Sequence, residues 1–101
     1  MKILLVCFAG MSTSIMMKKM KESAAKKEIA LDISAVPLSE FQDNLDGVEA
    51  ILLGPQVRYA LKDVEKTTEG EIPVMVINSV DYGMMNGDKV LNETIKMVKG
   101  K

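Results

Sequence analysis

Lys2-Ile3-Leu4-Leu5-Val6-Cys7, followed at once by Phe8-Ala9-Gly10-Met11-Ser12-Thr13-Ser14, decides the architecture. Residues 2–7 form an unbroken β-rich run, the pattern of a strand covered on both faces in a parallel sheet. The segment behind it is mostly small or hydroxyl-bearing, and Ser12 or Thr13 is suited to cap a helix. Beyond that cap Met16, Met20 and Ala24 recur every fourth residue, which predicts an amphipathic helix with this stripe buried. The other face, with Lys18, Lys19, Lys21, Lys26 and Lys27, reads as solvated, and its last lysines suit the negative end of the helix dipole.

Working outward, the β-helix alternation continues. Residues 30–36 (ALDISAV) alternate as a second strand ended by Pro37, and Ser39 is placed to cap a short helix reaching residue 45. Residues 48–53 (VEAILL) predict a third strand stopped by Gly54 and Pro55, with a helix over 57–66 just past that proline. Residues 72–77 (IPVMVI) read as a fourth buried strand. After the turn-rich NSVDYGMMNG, a last helix is expected over 88–98 with Val90, Leu91, Ile95 and Val98 inward. Repeats, low-complexity tracts and linkers are absent from the sequence. So short an alternation predicts an α/β fold of three layers, an open four-stranded parallel sheet in order 2-1-3-4 with helices on both faces.

The composition fits that scale. The chain has 101 residues, enough for a single domain over 1–101 with one core, and its 48% apolar and 27% charged residues suit a packed globular protein. A formal net charge of -1 provides no cationic field, so no nucleic acid or acidic membrane is expected as a partner. With no histidine and a single cysteine, Ser/His/Asp and Cys/His catalysis, a zinc site, a Cys-x-x-Cys pair and an internal disulfide are all excluded. A lone thiol points to the cytoplasm, and no apolar stretch is long enough to span a bilayer.

In open parallel sheets ligands bind beyond the carboxyl ends of the strands, where the strand order reverses. For order 2-1-3-4 that point adjoins the first strand, which ends at Cys7. The loop from Phe8 to Ser14 then runs into a helix N-terminus, whose N–H groups favour an anion. Gly10 permits a positive φ so that successive amides converge, and Ser12, Thr13 and Ser14 add hydroxyls. The same field favours a thiolate at Cys7, so the segment reads as a nucleophile inside a phosphate cradle. Taken singly, a cysteine at a strand end is more often a small buried hydrophobe, and Gly with Ser/Thr before a helix is usually a cap.

Low-molecular-weight tyrosine phosphatases and related arsenate reductases place a cysteine similarly, but the phosphatases follow it seven positions later with arginine, and here that position is Ser14. The only arginine is Arg58, in another segment. Without a guanidinium fork the loop is better suited to hold and pass on a phosphoryl group than to hydrolyse it. Asp81 is a candidate acid, although an exposed turn aspartate is its plainer reading. A phosphatase-like or arsenate-reductase-like enzyme using Cys7 and an inert receiver-like or flavodoxin-like binding module therefore remain as alternatives.

Three stretches, ILLVCFAGMSTSIMMKKM, AILLGPQVRYAL and INSVDYGMMNG, resemble the lactose/cellobiose-type enzyme IIB of the bacterial sugar phosphotransferase system in its free-standing form. The resemblance implies a relay with no cofactor and no metal. A phosphohistidine on enzyme IIA passes its phosphoryl group to Cys7, and the phosphocysteine donates it to a β-glucoside-type sugar held by membrane enzyme IIC. The residues Phe8, Ala9, Gly10, Met11, Ser12, Thr13 and Ser14 become the phosphate-binding loop. Gly54, Pro55, Gln56, Tyr59, Asp81, Tyr82 and Gly83 become candidate neighbours, and no stable oligomer is required. Met11, Met16, Met17, Met84 and Met85 fit either a pliable docking edge or core filling.

Overall fold

The structure, a computed structural model, describes residues 1–7 and 11–100, with backbone alone for residues 11–13. Four parallel strands, β1 (Lys2–Cys7), β2 (Asp32–Pro37), β3 (Ala50–Leu53) and β4 (Val74–Val76), lie in the order β2-β1-β3-β4. This is the predicted order. Helices α1 (Met11–Lys26), α2 (Leu61–Thr68), α3 (Ser79–Gly83) and α4 (Gly87–Lys99) cover the sheet together with two 3₁₀ stretches, Leu38–Asn44 and Pro55–Ala60.

Alternation along the central strands makes two cores. In register, Ile3 pairs with Ala50 and Leu5 with Leu52, and these four pack with Met16, Met20, Val90 and Leu91 of α1 and α4. Leu4 and Val6, beside Ile51 and Leu53, turn the other way onto Phe41, Val57 and Val64. Each fully buried Leu, Ile or Val contributes about 1.5–3 kcal/mol relative to exposure, so the strands covered on both faces anchor the fold.

The α1 stripe is as predicted, with Met16, Met20 and Ala24 buried. Where α4 starts against it, Gly87 is indispensable. A Cβ on Gly87 would lie 2.6 Å from Lys19 Cβ and 2.7 Å from the backbone of Lys19 and Met20, so only a missing side chain allows this approach.

The differences from expectation have physical causes. Since α1 already begins at Met11, Ser12 and Thr13 occupy its first turn and neither is the cap. The segment after β2 is 3₁₀, entered directly from Pro37 without a side-chain cap, so Ser39 lies within it. The single helix expected over 57–66 is a 3₁₀ stretch running into α2, broken at Val57 (φ -115°, ψ 21°), whose side chain is drawn fully into the second core. The fourth strand is three residues long and half-buried. It is an edge strand paired only with β3, and Pro73 just before it has no N–H to extend the ladder, although its carbonyl accepts from Ile51 N at 2.9 Å. Within the expected turn, Asn78 caps α3 by accepting from Val80 N at 2.8 Å and Asp81 N at 3.3 Å.

Candidate functional site

The carboxyl ends of the strands gather most of the expected site. β1 closes at Cys7, beside Pro37 of β2, and α1 opens four residues later at Met11. Cys7 is only 3% exposed, with Sγ 3.8 Å from the Val36 carbonyl oxygen, a long contact for a thiol donor. The calls on Phe8, Ala9 and Gly10 fall outside the described residues, as do the side chains of Met11, Ser12 and Thr13. Ser14 lies exposed near the start of α1.

Beside Cys7, Gly54 prolongs the pairing of the central strands through its N–H, which donates to Val6 O at 2.9 Å. A Cβ at Gly54 would stand 2.8 Å from Gln56 Oε1, 3.6 Å from Val6 O and 3.9 Å from the Tyr82 ring. The only tight approach is that of the flexible Gln56 side-chain end, so Gly54 marks where the residues after β3 and the ring of Tyr82 come close to the strand that carries Cys7 without being required there as glycine. Pro55, Gln56, Tyr59, Tyr82 and Gly83 then line one open cleft of about 570 Å³, joined by Arg58 and Ser79. Tyr59, 68% exposed, also borders a second depression of about 420 Å³ formed with Pro37, Leu38 and Ser39.

Asp81 departs from its expected exposed turn. It is buried in α3, with Oδ2 3.4 Å from Lys89 Nζ of α4 and no aligned hydrogen bond to that oxygen. Charge attraction makes this a strut between α3 and α4, and Asp81 is not among the residues lining the cleft. The methionines divide as well: Met16 fills the core, Met17 and Met85 pack half-buried against it, and Met84 is 74% exposed.

Sequence reasoning missed Arg58 and Ser79 as cleft residues, although Arg58 sits between the singled-out Gln56 and Tyr59. It also missed four exposed apolar side chains. Among the described residues the exposed large apolar side chains are Ile15, Tyr59, Val80 and Met84. Each lies on a segment leaving the carboxyl end of β1, β3 or β4.

Residues 2–93 match the family model described as PTS system, Lactose/Cellobiose specific IIB subunit. The chain is 41% identical over 95 residues to the PTS system galactose-specific EIIB component of Lactococcus lactis subsp. cremoris, covering 88% of each chain. It is 34% identical over 98 residues to the oligo-beta-mannoside-specific EIIB component of Bacillus subtilis, covering 96% of this chain and 95% of the relative. The solution structure of the cellobiose-specific IIB component from Borrelia burgdorferi is similar at a TM-score of 0.83 and 40% identity, over 100% of this chain and 94% of that one. The lactose-specific IIB domain from Streptococcus pneumoniae shares the fold at a TM-score of 0.85 and 18% identity, over 96% of both chains. With its strand order, its cysteine at the end of β1 and its match over nearly the whole sequence, the chain belongs to the lactose/cellobiose-specific IIB family of the sugar phosphotransferase system.

Proposed function

We propose that in this chain, as a IIB component of a family whose members act as phosphotransferases in sugar transport with IIA and membrane IIC components, the phosphoryl carrier is Cys7 and residues 1–101 work as one phosphoryl-carrying domain. The Cys7 thiolate attacks phosphorus on the IIA phosphohistidine, the N–P bond breaks as the S–P bond forms, and the imidazole leaves with the donor. A sugar hydroxyl held by IIC then attacks the same phosphorus, the O–P bond forms as the S–P bond breaks, the hydroxyl proton passes to solvent and the thiolate returns. The amides of residues 8–14 and the hydroxyls of Ser12, Thr13 and Ser14 hold the phosphoryl oxygens meanwhile, as helix N-termini do.

The observation that carries this reading is the position of the chain's one thiol, at the carboxyl end of the central strand that feeds α1. The absence of histidine supports it, since a relay needs that group only on the donor. No helix among the described residues is long and apolar enough to cross a membrane, which suits a carrier working at the cytoplasmic face beside IIC. The sugar class is that of cellobiose or lactose, with the choice within it made where IIC binds the sugar.

The test is direct. Incubation with phosphoenolpyruvate and the upstream phosphotransferase proteins, including IIA, should add one phosphoryl group, about 80 Da, as a charged acceptor-rich modification. The label should be absent from Cys7→Ser. Persistence of the label in that variant would overturn the assignment.

A further inference from the structure

The net charge of -1 averages over two unlike faces. Helices α1 and α4 make one outer layer over the core of Ile3, Leu5 and Leu52, joined where Gly87 meets Lys19 and where Ser23 donates to Asp88. Lys18, Lys19, Lys21 and Lys26 of α1 and Lys96 and Lys99 of α4 are exposed on this layer, and among the described residues none of them forms an ion pair. The acids there are fewer. Asp88 is already neutralised by Lys27, which leaves Glu22 and Glu93, with Glu28 just past α1, against those lysines. On the other side of the sheet, the 3₁₀ stretch Leu38–Asn44 and α2 carry Glu40, Asp43, Asp63 and Glu65 against Lys62, Lys66 and, just before α2, Arg58. The chain-wide balance, which gave no reason to expect an acidic membrane, therefore does not describe the α1–α4 face.

We propose that this lysine face rests on the anionic phospholipid headgroups of the cytoplasmic leaflet while Cys7 serves the membrane partner IIC. The inference rests on the relay reading and adds to it a lipid contact that orients the carrier. The chemistry of the face selects the occupant. All of its unpaired cations are lysines, point charges on flexible stems, spread along helices of 16 and 13 residues, about 24 and 20 Å long. A specific carboxylate or phosphate site is better served by a planar arginine fork, and neither helix contains arginine. A layer of lipid phosphates needs only a broad positive field. Ile15, 50% exposed, precedes Lys18 and Lys19 by three and four residues on the same helical face, and adds an apolar contact at the headgroup boundary. The fold sets the orientation. With α1 and α4 laid on the bilayer, the parallel strands beneath them run along its plane, so the carboxyl end with Cys7 points sideways to a neighbouring IIC and not into lipid. Each lysine contributes little, so the contact is reversible and salt-sensitive, as suits a carrier that must return to IIA.

The probe is the full chain mixed with vesicles of phosphatidylcholine, alone or with about one-third phosphatidylglycerol, and read by co-sedimentation. Binding is expected to the anionic vesicles only, and it should vanish at about 0.5 M salt, where screening is complete within a few ångströms. Lys18→Glu combined with Lys96→Glu should weaken it about tenfold or more. Lys62→Glu combined with Lys66→Glu, the same charge change on the other layer, should stay within about twofold of wild type. Equal loss in the two double variants would overturn the proposal, as would equal binding to neutral vesicles. Tighter lysine-dependent binding of a short DNA duplex than of anionic vesicles at the same salt would also overturn it, by making the face a nucleic-acid site. A second arm separates lipid from IIC itself. With IIC reconstituted in anionic vesicles, the Lys18→Glu, Lys96→Glu variant should need about tenfold more phosphorylated carrier for half-maximal sugar phosphorylation, and in neutral vesicles its difference from wild type should disappear. A difference that persists in neutral lipid would place the lysines on IIC and overturn the lipid contact. The mass-label assay, run without membranes, keeps the two readings separate. Vesicle binding with no label on Cys7 removes the relay assignment alone, and labelling of Cys7 without vesicle binding removes only the lipid contact.

Discussion

The two ends of the sheet are built for different work. At the amino end, polar bonds tie the strand starts to the loops beneath them. Lys2 Nζ donates to Asp46 O at 2.6 Å, Lys2 N to Glu49 Oε2 at 3.2 Å, Glu49 N to Lys2 O at 2.8 Å and Asp32 N to Met1 O at 2.8 Å. On the segments that leave the carboxyl ends of the strands, Ile15, Tyr59, Val80 and Met84 stand in solvent, Tyr59 also lines a cleft with Arg58, and the lone thiol is at the end of β1. Burying those side chains would stabilise an isolated molecule, by up to about 1.5–3 kcal/mol each. Their exposure contrasts with the opposite end, where strand starts are tied down by backbone and charged groups. Structure is thus secured at one end, and the exchange proposed for Cys7 falls at the other.

That division makes the ends separable by mutation. The largest expected effect is at the thiol, where Cys7→Ser should abolish phosphoryl acceptance yet leave the thermal midpoint close to wild type, since the swap removes no packed volume of note. A collapse of the fold in this variant would show that the carboxyl end also supports the sheet. Between the two ends, Gly87→Val should force backbone apart where α1 and α4 meet and destabilise the fold by about 3 kcal/mol, the upper range for overpacking. The molecules that remain folded should still accept phosphate. Denaturant melts combined with labelling per folded molecule separate these outcomes.

Smaller effects are expected at the amino end. Lys2→Ala should cost about 1 kcal/mol by deleting the bond to the Asp46 carbonyl, with transfer unchanged. A loss of transfer there would mean that the ends are coupled through β1. Smallest is the contribution of Asp88, whose carboxyl is held below the usual aspartate value of 3.8 by its hydrogen bonds to Lys27 and Ser23. With the folded value depressed, the stabilisation is complete above the unfolded value and is lost as pH falls through the folded one. The melting difference between wild type and Asp88→Asn should therefore be flat from about pH 5 to about 8 and should shrink only below about pH 4. A difference that instead grew on acidification would contradict the ion pair with Lys27, drawn at 2.8 Å.

Much of this molecule was legible before its coordinates. The run Ile3 to Val6, covered on both faces, can only be a central strand, and the four-residue spacing of Met16, Met20 and Ala24 sets the buried stripe of α1, because both periodicities follow from backbone geometry alone. Right-handed crossovers admit the order 2-1-3-4 without singling it out, and the packed sheet adopts it, with Cys7 at the carboxyl edge of β1. Tertiary structure decided what depends on neighbours distant in sequence. Asp81, read as an exposed turn residue, is buried because α4 brings Lys89 within 3.4 Å of it, a proximity with no local signature. Val57 breaks the expected helix because the second core claims its side chain, and β4 is short because it has a neighbour on one side only. Arg58 and Ser79 line one cleft though they come from segments that follow different strands. Local pattern determines which elements form and which face each buries, since it acts through the chain's own dihedrals and spacing. Which side chains then meet is set by how those faces pack, and that information resides in the fold as a whole.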